Sequence, residues 1–301
     1  MAEQLIKLFS KELQENLFPN NEFYKQSKLD GGVDVNAKTV EVPQAGSTPT
    51  VTKNVSVFPL VATTRTDDVK SYTVDLYSTD PIHIQDVNEM VINYSKRSDV
   101  IKDHARTLNT RIADEMAYSW APTAGANIIV TTGTADASAL APSATGTRKV
   151  ITYEDIVKLA TMFDIDDVDM GARNLLVDTR LYAQLLKINQ FVNFDFFNRK
   201  PTVDGQIGEI LGMKVFKRSK STYFDVSNVK KAVGAAGAAT DNLGILAWAD
   251  NAVRRAEGNV KMYADMDNPL YLGSIFNASV RAGAMIGRTD SKGVYALVQT
   301  A

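Results

Sequence analysis

Four aspartates crowd one short stretch, Asp164, Asp166, Asp167 and Asp169, with Gly171 behind them. Alternating carboxylates followed by a glycine are the donor set of a calcium loop, in which glycine stands sixth and a glutamate twelfth. Counted from Asp164, the fifth position is Val168 and the sixth Asp169, so the pattern breaks; an acidic loop between a helix and a strand accounts for it more simply. Two histidines, His83 and His104, are too few for a three-histidine zinc site, and a two-histidine site would have to join an extended segment to a helix. His104 adjoins Ala105 on a packing stripe, and His83 lies between Ile82 and Ile84, so both read as structural. Cysteine is absent, which excludes disulfides, zinc ribbons, iron–sulfur clusters and thiolate nucleophiles.

The remaining chemistry fails on spacing. No serine sits in a G-x-S-x-G turn. Gly234 and Gly237 lack a Lys-Ser/Thr pair, and Gly205, Gly208 and Gly212 miss the dinucleotide pattern. Asp67 and Asp68, like Asp114 and Glu115, are neighbours in sequence and so cannot share a strand or helix face. Lys214, Lys217, Arg218, Lys220, Arg254 and Arg255 are the densest basic positions, but they lack the interleaved aromatics of a nucleic-acid platform. No catalytic residue, cofactor or metal site is expected. Across 301 residues, Lys+Arg 33 against Asp+Glu 35 leaves a net charge of -2, which argues against a strongly basic face gripping nucleic acid. Neither a signal peptide nor a membrane span is expected, because charges interrupt every apolar run. A cytoplasm-like compartment follows, in which the sequons at Asn54 and Asn277 carry no sugar.

The elements that would position these groups change character along the chain. Leu5, Ile6, Phe9, Leu13 and Leu17 fall on one stripe, predicting an amphipathic arm helix stopped by Pro19. Over residues 33–84 the period becomes two, with Val33, Val35, Val40 and Val42, then Tyr72, Val74 and Leu76. Between these runs lie Gly46, Pro49 and Pro59, so a long projecting hairpin is expected, needing a neighbour for support. Asp86 and Glu89 form a capping box for a helix burying Val87, Met90, Val91 and Tyr94. Ser98 and Asp99 look like a second cap, ahead of Ile101, Ala105, Leu108, Ile112 and Met116 in a helix ended by Pro122. Residues 121–147 predict a loop or small hairpin. Thr152 and Asp155 box a helix burying Ile156, Leu159, Ala160 and Phe163. A buried strand over residues 174–178 and a helix over 179–188, with Leu181, Tyr182, Leu185 and Leu186 inward, complete an α/β-type unit. Strands over 213–216 and 245–248 flank a low-complexity loop at 232–240, expected to be mobile, and alternation returns from residue 260 to Val298.

This order of elements resembles the major capsid protein of tailed double-stranded DNA bacteriophages, whose Johnson fold is shared with encapsulins. Val40-Glu41-Val42-Pro43 resembles the rising strand of the family's extended E-loop and Val74-Asp75-Leu76 its descending strand. Residues 98–120, with Asn109-Thr110-Arg111-Ile112-Ala113-Asp114-Glu115, are similar to the spine helix of the P-domain. Residues 153–163 and 173–182 resemble the A-domain helix, strand and second helix; Ile207-Gly208-Glu209-Ile210-Leu211-Gly212-Met213 resembles the turn that follows, and residues 280–294 the last P-domain strands.

The resemblance implies an α+β fold divided as an arm at 1–32, an E-loop hairpin at 33–85, a P-domain with spine helix and small insertion at 86–148, an A-domain at 149–255 and P-domain return strands at 256–301. It implies a non-enzymatic virion protein that assembles in the host cytoplasm as hexamers and pentamers into an icosahedral shell. The shell would enclose DNA through weak non-specific contact, with portal, scaffold and possible decoration proteins and no membrane. No scaffolding segment precedes the arm, so a separate scaffold protein or prior processing is expected. Some relatives cross-link a loop lysine, and Lys53 lies near this loop's tip, but no partner asparagine is identifiable. Two other readings stay open: an encapsulin-type compartment, and a ligand-binding α/β protein using the acidic loop.

Overall fold

The computed structural model describes residues 21–30, 38–46, 49–55, 58, 62, 64–85, 95–123, 125–188 and 206–301. The expected arm helix and the helix begun at Asp86 lie outside them. The longest described helix, α1, runs Ser95–Trp120. Ile101, Ala105, Leu108, Ile112 and Met116 recur every three or four residues and are all buried, as the stripe predicts. Ser98 and Asp99 do not cap it but lie inside it. The segment around them holds Lys96 and Arg97 and neither glycine nor proline, so nothing local breaks the helix there. Its carboxyl end is closed from outside: Lys230 Nζ donates to the carbonyls of Tyr118 (2.9 Å) and Ala121 (2.7 Å). A cation suits the negative end of the helix dipole.

Strands are numbered along the chain. One sheet of six joins β1 (Lys28–Leu29), β4 (Asp75–Ser78), β5 (Ile82–Gln85), β14 (Val253–Glu257), β15 (Lys261–Asn268) and β16 (Gly273–Ile286). The 14 residues of β16 let one strand serve β14, β15, β4 and β5. A second sheet of seven runs β10 (Gln206–Ile210), β11 (Met213–Arg218), β9 (Arg173–Asp178), β13 (Asn242–Ala249), β17 (Val294–Val298) and β6 (Ile128–Val130), with β12 (Tyr223–Phe224) on β13. Every residue of β9, β13 and β17 is buried, the near-continuous pattern of strands covered on both faces. Helix α2 (Tyr153–Ile165) packs on β17 and β6, and α3 (Thr179–Leu185) on β9 and β11.

Local signals explain these boundaries. The Thr152–Asp155 capping box forms as read, and the buried Asp155 carboxylate also accepts from the Thr132 amide and hydroxyl. Asp178 caps α3 by accepting from the Arg180 amide at 2.8 Å. That helix ends at Leu185 rather than 188, and Leu186 is exposed rather than inward. The turn from β10 to β11 places Leu211 (φ 48°) and Gly212 (φ 76°) both at positive φ, the requirement of a type I′ hairpin, which glycine meets without strain. Residues 121–147 contain β6 and, at 135–136, a short strand β7 (Ala135–Asp136) that pairs with β8 (Arg148–Lys149).

The expected projecting hairpin is β2 (Thr39–Gln44) paired antiparallel with β3 (Asp68–Thr73), Val40 opposite Tyr72 and Pro43 opposite Val69. Its descending strand is thus residues 68–73, and Asp75–Ser78 is β4, already paired with β16. Alternation runs unbroken through Val74 because a period of two does not register a change of partner. Two further strands join distant parts of the chain: β14 pairs with β16, and β17 pairs with β13.

Where the elements converge, Phe23, Trp120 and Trp248 form a ring cluster with centroids 5.7 to 6.1 Å apart. Trp248 Nε1 donates to Gln26 O at 2.7 Å and Trp120 Nε1 to Arg254 O at 3.1 Å, so no ring nitrogen is stranded. Replacing Trp248 with Ala is expected to cost about 3–5 kcal/mol in urea unfolding of the unassembled subunit. Leu76→Ala, at a site 59% exposed, is expected to change stability by less than about 0.5 kcal/mol; comparable losses would contradict this packing account.

Burial lowers the Lys230 ammonium from 10.5 to about 8. Between those values the unfolded chain holds a proton that the folded chain has released, so this group makes stability rise with pH. The stability of wild type relative to Lys230→Met should therefore increase from pH 8 to pH 10.5 in urea titrations. A flat or falling difference would sink that reading.

Candidate assembly surfaces

The residues singled out for chemistry do not converge. Asp164 pairs with Arg173 at 2.7 Å, whose guanidinium also donates to Val168 O and lies over the Phe163 ring. Asp166 is half-buried and accepts from the Tyr295 hydroxyl and the Gly293 amide, with Lys292 Nζ at 3.8 Å. Burial and this carboxylate together push the Tyr295 phenol up. Asp167 takes the positive φ of 54° that turns the loop. Asp164 and Asp166 therefore lock α2 to β9 and β17, each carboxylate facing a different partner, while Asp167 and Asp169 are exposed. Among the described residues no group of three His, Cys, Asp or Glu side chains is arranged to hold a metal. His104 is buried on α1 and held neutral by desolvation. His83 is exposed, its ring 5.8 Å from that of Tyr271.

The basic positions divide sharply. Arg254 pairs with Asp30, which also accepts from the Tyr72 hydroxyl at 2.9 Å. Arg255 Nη1 donates to the carbonyls of Tyr24, Lys25 and Ser27, fastening residues 22–29 to β14. Arg218 pairs with Asp114 at 2.8 Å and covers the Phe23 ring. Glu115 instead pairs with Arg111 at 2.6 Å, so the adjacent carboxylates do point apart. Lys217 lies over the Tyr182 ring, and neither it nor the exposed Lys220 has a carboxylate partner among the described residues.

Three exposed surfaces stand out instead. The first is the hairpin. A small cluster of Val42, Tyr72, Val74, Ala256 and Met285 seats its root on the six-stranded sheet. Lys70 Nζ donates to Ile286 O and Arg288 O, and Gln44 Nε2 to Gly287 O at 2.8 Å. Beyond this grip, Val51 is 97% and Phe58 73% exposed. The second is the β15–β16 turn, where Leu270, Tyr271 and Leu272 are all exposed. Sequence reasoning passed over it, although three large apolar residues behind Asn268-Pro269 were a visible signal. The third is the 232–240 loop, largely exposed but pinned at its end by Arg148 Nη2 on Ala239 O and Asp241 O. Among the described residues no helix is long and apolar enough to cross a membrane.

A rooted body that holds out an apolar-tipped ribbon is built to contact other chains, and this is the geometry of a structural subunit. Comparison with known proteins agrees. The capsid of the cyanophage P-SCSP1u is similar at a TM-score of 0.65 and 18% identity, covering 90% of this chain and 86% of that one. The capsid of Ralstonia phage GP4 gives 0.65 at 12%, covering 95% and 90%. A virus-like particle from Pyrococcus furiosus gives 0.52 at 9%, covering 97% and 99%. These likenesses establish the Johnson fold. No curated protein matches the sequence. The model of the phage capsid protein family matches residues 24–296, and the chain belongs to that family. It is a structural protein of the virion and a homo-oligomeric shell component.

Because Asp164 and Asp166 are already engaged, millimolar calcium should leave the melting temperature unchanged, whereas Asp166→Ala should cost about 1–3 kcal/mol by leaving the buried Tyr295 hydroxyl without its acceptor. A calcium-dependent rise in melting temperature that Asp166→Ala abolishes would restore the ligand-binding reading.

Proposed function

We propose that this chain is the major capsid protein of a tailed phage, assembling as hexamers and pentamers into an icosahedral shell around double-stranded DNA. The observation that carries this reading is the gripped hairpin: its root shares a core with the six-stranded sheet, while Val51 and Phe58 at its far end are left to water. Apolar surface held away from the body in this way is covered when subunits interlock. The arm at 1–32 and the 232–240 loop near the capsomer axis would supply further contacts, with the P-domain at 86–148 and 256–301 around an A-domain at 149–255. A separate scaffold, a portal and possibly decoration proteins are the expected partners, and the host cytoplasm the place of assembly. The chain acts through contacts alone, without catalysis or cofactor. The family match favours a phage shell over an encapsulin-type compartment, and particles loaded with a cargo enzyme instead of DNA would reverse that choice.

The test is assembly. Wild-type chain, with its scaffold, should give closed particles in negative stain and sedimentation. Val51→Glu combined with Phe58→Glu should fold with stability within about 0.5 kcal/mol of wild type, since both sites are solvated, yet lose particles. A wild-type chain that stays monomeric, or a double variant that assembles normally, would contradict the proposal.

A further inference from the structure

Two neighbouring clefts run beside α1 and share Arg106, Thr110 and Arg218 in their walls. The clefts have volumes of about 650 and 640 Å³. One wall is α1; the other is the end of β11 with the segment that follows it. In the second cleft Lys102 and Arg106 from the helix face Lys217 and Arg218 from the strand, and Asn21, Asn109, Thr110 and Ser219 add polar groups. No carboxylate lines it. In the first, the two carboxylates, Asp114 and Asp241, are already engaged by Arg218 and Lys231. Arg111 is engaged too, by Glu115. Lys102, Arg106, Lys217 and Lys220 are left exposed, and among the described residues none has an acidic partner.

That residue is informative in a chain of net charge -2. By contrast, Arg254, Arg255, Arg173 and Arg148 all hold backbone or carboxylates. Lys102, Arg106 and Thr110 stand at intervals of four, so they share one helix face, each about 6 Å beyond the last. Lys102, Arg106 and Lys217 edge a cleft that no carboxylate lines, and Lys220 stands in the adjoining cleft, whose two carboxylates are already paired; together these cations make a positive potential that an extended anion satisfies along its length. The threonine, serine and asparagine groups between them are the donors that hydrogen-bond phosphate oxygens.

We infer that this channel between α1 and the end of β11 is a binding surface for the phosphodiester backbone of duplex DNA, with Lys102, Arg106, Lys217 and Lys220 as the phosphate contacts. The inference rests on the reading of the chain as a shell around DNA, and names where the inner contact is made. Binding is independent of base sequence, because no group in the channel reads base edges while four neutralise phosphates. Weak contact per subunit, repeated over a shell, would hold the packaged duplex without fixing its register.

The measurement is fluorescence anisotropy of a labelled DNA duplex with purified full-length chain across a potassium chloride series, beside negative-stain scoring of particles from the same preparations. Four phosphate contacts give a slope of log K on log salt of about -3.6, and Lys102→Glu with Arg106→Glu should bring it to about -1.8 or less. Lys158→Glu with Lys261→Glu, an equal charge change at exposed sites away from the channel, should keep the wild-type slope. Lys102→Gln with Arg106→Gln serves the same purpose if the reversed pair fails to fold. No wild-type binding at low salt, an unchanged slope in the channel variants, or an equal loss in the control pair would overturn the inference. Displacement of DNA by poly-glutamate at equal charge would also overturn it, by showing a site for acidic peptide. Absence of particles in every preparation would count against the shell reading instead, and the anisotropy series would still decide the channel.

Discussion

Everything in the described structure depends on one aromatic junction. Phe23 comes from a short 3-10 turn, Trp120 from the end of α1, and Trp248 and Phe216 from the seven-stranded sheet, with Arg254 of the six-stranded sheet accepting from Trp120 through its carbonyl. Burying a large ring contributes about 1.5–3 kcal/mol, and edge-to-face pairing adds about 0.5–1.5 kcal/mol per pair. These contacts bring the amino-terminal segment, the long helix and both sheets together. Arg218 and Arg255 close the junction from two sides, over Phe23 and Tyr24. Arg218 and Asp114 depend on each other in this partly buried setting, since removing one partner of such a pair costs more than the pair itself contributes.

From that anchor the molecule can hold out surface that has no support of its own. A two-stranded ribbon is marginal in water, so its root must be gripped. The grip is close enough to be steric: a Cβ on Gly283 would stand 2.5 Å from Thr73 O and 3.2 Å from the Tyr72 ring. Glycine in the middle of β16 is unfavourable for a strand taken alone, and here it lets the ribbon cross the sheet. Rigidity at the root and exposure at the tip thus come from the same few residues. Val51 and Phe58 at the tip can vary without unfolding the body, because both are exposed.

How much of this was legible follows from what periodicity records. Spacing of three and four gave α1 and α2 with their buried faces, since a helix shows its packing side on one chain segment. The Thr152–Asp155 box was readable because both partners are three residues apart. The end of α3 was not, because Leu186 fits the stripe and only the turn of the chain exposes it. The change of partner at Val74 and the passage of β17 into the other sheet were invisible for a related reason: pairing is a long-range choice that leaves alternation unchanged. The acidic loop departs from calcium spacing in the sequence alone, yet its role in fastening α2 to Tyr295 and Arg173 needed the tertiary fold. Leu270-Tyr271-Leu272 was legible in principle and was overlooked because a short apolar run gives no period.

Charge shows the same limit from the other side. A net charge of -2 is a sum, and the sum concealed a division of labour. The densest basic positions in the sequence include Arg218, Arg254 and Arg255, and these proved to be structural, engaged by Asp114, Asp30 and main-chain carbonyls. Arginine suits that work, because its fixed fork of donors can satisfy several acceptors at once. The cations that edge the cleft come from α1 and from β11, more than a hundred residues apart in sequence. No local count could have brought Lys102 to Lys217. Near neutrality overall, with Arg218, Arg254 and Arg255 committed to structural pairs while Lys102, Arg106 and Lys217 stay exposed beside one cleft, suits a shell protein that binds its contents along a chosen surface while leaving the subunit contacts to apolar groups.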